Sequence, residues 1–170
     1  WATLNYSTPD ITKEIIYGRR YMGGTSGDNL VETNNYPVGV EGGAGGNCPT
    51  QNLVDAYVMT NGKPIGAAGS GYDPANPYKD RDPRLALTVA VNGDKWPTSY
   101  EVALETFQGG VNAEPIAGAT PTGYYLKKLC HGAIDLSSSS KYKSDKHTSV
   151  LFRMGGFYLD YAEAVFKYLG

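Results

Sequence analysis

Covalent chemistry in this chain would have to come from very few residues. His131 and His147 are the only histidines, and Cys48 and Cys130 the only cysteines, among 170 residues. Cys130 and His131 are adjacent, which suits tetrahedral zinc poorly, and neither a CxxC nor an HExxH spacing occurs. No metal and no other cofactor is expected. The two thiols could form one bridge in an exported protein or stay small buried residues in a reducing compartment. Sequence does not choose between them, because a bridge needs Cα atoms within about 7 Å. A GxSxG elbow is missing, so a serine hydrolase has no support. The run Gly42-Gly43-Ala44-Gly45-Gly46 has the glycines of a phosphate cradle but not the Lys-Ser/Thr pair, and it reads as a flexible loop. A glycosidase needs two carboxyl groups. Asp80 and Glu101 can be nominated, but Asp73-Pro74 and Asp82-Pro83 are contexts in which acids cap turns. With no catalytic spacing visible, an enzyme is not expected.

The aromatic and amide residues offer a different chemistry. Tyrosine supplies 14 residues, beside two tryptophans and four phenylalanines. Sugars present flat C–H faces rimmed by hydroxyls, and a tyrosine or tryptophan ring answers with an apolar face and a polar tip. Asparagine adds paired donors and acceptors that fix orientation. Tyr36 lies beside Asn34 and Asn35, Tyr72 and Tyr78 stand in proline turns, and Trp96 and Tyr100 follow Asn92-Gly93. Packed aromatic residues are commoner than binding ones. The sugar reading is the sharper expectation.

The elements that must carry these residues are short. Lysine and arginine total 15 against 17 acids, so no basic surplus points to nucleic acid or to an anionic membrane surface. Charged residues are 19 %, against roughly 25 % in an average domain. With 22 glycines and 10 prolines, the chain is loop-rich. No run of about 18 apolar residues is present, so no spanning helix is expected. Thr8-Pro9-Asp10 has the look of a helix start, while the β-branched and aromatic residues that follow favour a strand over 14–20. A long loop covers 21–47, a length that is usually functional or mobile. Thr50 caps a helix carrying Leu53, Val54, Tyr57 and Val58 on one stripe, stopped by Asn61-Gly62. Three X-Pro pairs make turns of 66–84. LALTVAV (85–91), ending in Asn92-Gly93, reads as the clearest strand. Further strands are expected within 100–119 and over 122–129, with a serine-rich connector at 137–140. The strongest helix spans 151–169, where Gly155-Gly156 would allow close approach of a neighbouring helix. Trp1 opens the chain without methionine, and this helix meets Gly170. The expectation is an internal piece of a longer protein, residues 1–170 forming one partial domain.

Four segments in order go beyond composition: PTQNLVDAYVMTNGKPI (49–65), YDPANPYKDRDPRLALTVAVNGDKW (72–96), TGYYLKKL (122–129) and FRMGGFYLDYAEAVF (152–166). Together they resemble the C-terminal half of the SusD/RagB family of nutrient-binding outer-membrane lipoproteins. The resemblance implies a mainly α fold with much irregular loop and a few short strands, in which 151–170 is one tetratricopeptide-like helix. It implies a non-catalytic protein on the bacterial outer membrane, reaching the membrane through a lipid anchor outside this chain. Its ligand would be an oligosaccharide, or in some relatives a peptide, delivered to a SusC-like TonB-dependent transporter. Family ligand contacts come from variable loops, so no binding residue transfers by motif. By analogy of place the loop before Pro49 is the first candidate, with Tyr36, Asn35 and Glu41; Tyr72, Tyr78 and Trp96 complete the glycan candidates. Asp82, Pro83 and Arg84 are expected to hold the scaffold, with Arg84 and Asp82 tying turns together.

Overall fold

A computed structural model describes residues 14–21, 30–140 and 147–169. The expected helix start at Thr8–Asp10, positions 22–29 of the long loop, and Gly170 lie outside the described residues. Strand β1 (Ile15–Tyr21) is followed by helices α1 (Val31–Asn35), α2 (Gln51–Ala56) and α3 (Pro83–Thr88). Strands β2 (Val89–Ala90), β3 (Tyr125–Leu126) and β4 (His147–Arg153) lead to helix α4 (Met154–Leu169). Most of the described chain is neither helix nor strand, so loop outweighs the expected α content.

The β-branched and aromatic run at 15–21 does form a strand. It pairs antiparallel with β4, from Tyr21 opposite His147 to Ile15 opposite Arg153, with a register shift around Tyr17. The sequence reading has no strand at 147–153. It assigns 151–153 to the last helix, which starts instead at Met154. Glu14 explains the later start. Its backbone oxygen accepts from Met154 N at 2.8 Å and its Oε1 from Gly155 N at 3.1 Å, satisfying two orphan donors of the first turn. Gly155 therefore makes room for Glu14: a Cβ there would sit 3.1 Å from Oε1. Gly156 has open space around it among the described residues.

The segment 85–91 is mostly helix, contrary to the sequence expectation. Asp82 Oδ1 accepts from Arg84 N at 2.9 Å and Pro83 occupies the first turn, a start signal that suits the good helix formers Leu85, Ala86 and Leu87. Only Val89 and Ala90 extend, pairing with Leu126 and Tyr125. The strand expected over 122–129 shrinks to Tyr125–Leu126, and 100–119 holds no strand, only an isolated bridge between Ala113 and Thr120. Thr50 caps α2 as expected, its side chain accepting from Leu53 N.

Two cores position the loops. The larger gathers Tyr36, Ala90, Trp96, Leu104, Tyr125, Cys130 and Leu136, and the smaller Val54, Leu85, Val89 and Tyr124. The second is tied down by Arg81, 6 % exposed. Its guanidinium donates to Pro77 O at 2.8 Å, Val54 O at 2.6 Å and Tyr57 O at 2.8 Å. The turn-tying role expected of Arg84 thus belongs to Arg81, since the Arg84 side chain is 74 % exposed and pairs only locally with Asp82. The glycine run is packed rather than flexible. A Cβ on Gly43 would lie 2.5 Å from Pro37 O, and one on Gly46 2.7 Å from Asn34 O. Cys48 and Cys130 are both thiols, not a bridge. Burial, with the Glu32 carboxylate adding to it, pushes the Cys130 thiol up to about 12.

Candidate functional site

Where β1 and β4 run beside α1, their facing residues leave a cleft of about 320 Å³. That volume is at the small end of the ~300–1,000 Å³ typical of ligand sites. His147 lines it and is backed by a buried acid. Glu32, fully buried, has Oε1 2.7 Å from His147 Nε2 and accepts from His131 N at 2.8 Å. One carboxylate thereby joins α1, β4 and the loop after β3. Glu32 Oε2 has no hydrogen-bond partner among the described residues, so the pair carries the cost of a half-satisfied buried acid.

The walls are amides and hydroxyls. Asn35 Nδ2 donates to Val31 O at 2.8 Å, and Asn35 Oδ1 accepts from Asn47 Nδ2. Its amide is therefore engaged on both sides, and Asn35 is only 6 % exposed. Asn34, Asn47 and Ser149 are exposed and line the same cleft. Tyr21 supplies an aromatic wall, with the Arg19 guanidinium 4.8 Å from its ring centroid. At the rim Leu129 holds φ +74°, a left-handed conformation that costs a side-chain-bearing residue about 1–3 kcal/mol.

A second crevice, about 250 Å³, opens beside α3 and includes Tyr78, Arg81 and Asp94. The Tyr78 hydroxyl donates to the Tyr124 hydroxyl at 3.3 Å, which donates to Gln51 Oε1 at 2.7 Å. Burial first, then the Tyr124 hydrogen bond, pushes the Tyr78 hydroxyl far above the usual phenol range. The Arg81 guanidinium lies 5.6 Å from the Tyr72 ring centroid, and Lys127 Nζ pairs with Asp94 Oδ2 at 2.6 Å.

The structure separates the six glycan candidates. Tyr36 is fully buried and its hydroxyl donates to His131 O at 2.6 Å and Ile134 O at 3.1 Å. Trp96 packs edge-on against it at 6.0 Å between centroids and is 9 % exposed. Neither ring offers a face to a sugar; both are core residues, because the loops carrying them fold inward around Tyr125. Asn35 lies at the first cleft, Tyr78 at the second with Tyr72 nearby, and Glu41 on neither. Glu41 is exposed and its Oε1 accepts from Ser138 N at 2.6 Å. Asp80 and Glu101, the carboxylates nominated for hydrolysis, are both exposed. The Glu32–His147 pair behind the cleft is not legible in the sequence. No local signal could have found a contact between residues 115 apart in sequence.

The model of the SusD family matches residues 13–168. A SusD-like protein from Bacteroides fragilis superposes with a TM-score of 0.72 at 20 % identity, covering 98 % of this chain and 35 % of its own. A SusD-like carbohydrate binding protein from the same species gives 0.69 at 22 % identity, covering 90 % of this chain and 29 % of its own. The chain thus spans about a third of the length of these solved relatives. No curated protein matches.

Proposed function

The chain belongs to the SusD family, and from that premise we propose that it is part of a non-catalytic glycan-binding protein of the bacterial cell surface. The observation that carries the reading is the shared fold with a SusD-like carbohydrate binding protein over 90 % of this chain. Around it stand surface clefts lined by amide, hydroxyl and phenol groups, the chemistry that matches a saccharide's hydroxyl rim. No helix among the described residues is long and apolar enough to cross a membrane. In the proposal a lipid anchor outside this chain holds the protein at the outer membrane, and a SusC-like TonB-dependent transporter receives the oligosaccharide. The helix α4 would be one member of a tetratricopeptide-like pair. Asn35, Glu41, Tyr72 and Tyr78 remain the sequence-derived contact candidates once Tyr36 and Trp96 are assigned to the core.

Native gel electrophoresis of the full-length protein through gels containing starch, xylan, mannan or mixed-linkage glucan tests the reading. Retardation by at least one polysaccharide, without release of reducing sugar, is expected. Calorimetry with oligopeptides in parallel separates a peptide-capturing relative. Heat from peptides and none from any glycan overturns the carbohydrate assignment.

A further inference from the structure

Resting on the glycan reading, we infer that the cleft between the β1–β4 ribbon and α1 is a binding subsite for a neutral saccharide. Three observations converge there. First, the exposed polar side chains that line it among the described residues are uncharged: the amides of Asn34 and Asn47 and the hydroxyl of Ser149. Beneath them Glu32 is fully buried, and its partner His147, which lines the cleft, is 5 % exposed. Among the described residues lining the cleft no exposed side chain carries a charge, the Arg19 guanidinium lying against the Tyr21 ring, and a sugar hydroxyl can both donate to and accept from an amide. Second, the amides differ in commitment. Asn35 is buried and bonded to Val31 O and Asn47 Nδ2, which braces the exposed Asn47 side chain that lines the cleft. Such a back-stop is the kind of support that pre-organises a contact residue. Third, the rim carries Leu129 in a left-handed conformation, and strained backbone concentrates at ligand clamps. Among the described residues Tyr21 provides the aromatic wall, so a sugar ring can lie against it while the amides take its hydroxyls.

The alternative place for a sugar, the crevice beside α3, is the poorer fit. Most of its polar groups are already engaged, Asp82 with Arg84, Asp94 with Lys127, and Tyr78 with Tyr124, and the one buried donor left over, Arg81 Nε, is enclosed by the carbonyls its guanidinium already binds.

The test uses the full-length protein and the polysaccharide that retards the wild type most in native gels. Asn34→Ala removes an exposed amide, and Ser149→Trp places an indole in the cleft from an exposed strand position; neither touches the two cores. Each variant is checked by thermal melting. Weakening of at least tenfold in apparent affinity for Asn34→Ala, and loss of retardation for Ser149→Trp, are expected, with melting unchanged. Wild-type retardation in both variants overturns the cleft assignment while leaving glycan binding intact. Failure of the wild type itself to be retarded by any glycan overturns both. Retardation confined to an anionic polysaccharide such as polygalacturonate, and lost in the same variants, overturns the neutral-saccharide class. If Ser149→Trp fails to melt as wild type, Asn34→Ala alone decides.

Discussion

The loop-rich core and the helix α4 reverse each other's appearance. The core is assembled from irregular segments, yet Tyr36 and Tyr125 are fully buried there and Trp96 nearly so. Helix α4 is the most regular element, yet none of its residues is buried; Phe166 is 76 % and Tyr168 89 % exposed. Regularity and burial are separate properties. A periodic pattern marks which face of a helix could be covered, but covering needs a neighbour. An irregular loop can bury a ring completely when its glycines let backbones press together.

That contrast can be broken most decisively at the core. Trp96→Ala is expected to cost about 3–5 kcal/mol, the usual loss for a large buried aromatic, read as a fall in the denaturant midpoint. A cost below about 1 kcal/mol would mean the ring is a surface feature after all. The glycine run comes next. Gly43→Ala drives a Cβ against the Pro37 carbonyl oxygen, 2.5 Å away, where the neighbour is backbone and cannot swing aside. Destabilisation of about 1–3 kcal/mol is expected, and a neutral effect would restore the picture of a slack loop.

A smaller effect belongs to the start of α3. The side-chain and backbone hydrogen bonds from Arg84 hold the Asp82 carboxyl at about 2, below the unfolded value near 3.9. Its contribution is therefore complete above about pH 4 and is lost as the pH falls through 2. The gap in melting temperature between wild type and Asp82→Asn should close across that window, and a gap independent of pH would deny the carboxylate its role. Smallest of all, Phe166→Ala in α4 should change the stability of this chain by no more than about 0.5 kcal/mol. A loss of several kcal/mol would show that the helix is covered.

What could be read from the residues follows from how local each signal is. Thr50 and Asp82 announce helix starts through bonds made within three residues, and the motifs at 49–65, 72–96, 122–129 and 152–166 identify the family. The segment 85–91 departs from its strand pattern because alternating apolar residues do not outweigh an Asp-Pro cap followed by Leu-Ala-Leu. The candidate site was less accessible. Tyr36 sits among asparagines exactly as a sugar-stacking ring would, and only its hydroxyl bonds to His131 and Ile134, 95 and 98 residues away, show that it is packing. Arg81 and Arg84 are indistinguishable in an acidic, proline-rich context; the carbonyls of Val54, Tyr57 and Pro77 decide between them.

The pairing of β1 with β4 works like the buckle of a belt. Glu14 meets Gly155 across 141 positions of sequence, so everything between is strapped into one closed loop, whose entropic cost grows only with the logarithm of its length. Changes in the length of the strap are therefore cheap, while a fault in the buckle releases both ends together. The proposed saccharide cleft lies against that buckle, which means a bound sugar would fasten the belt as well as occupy it.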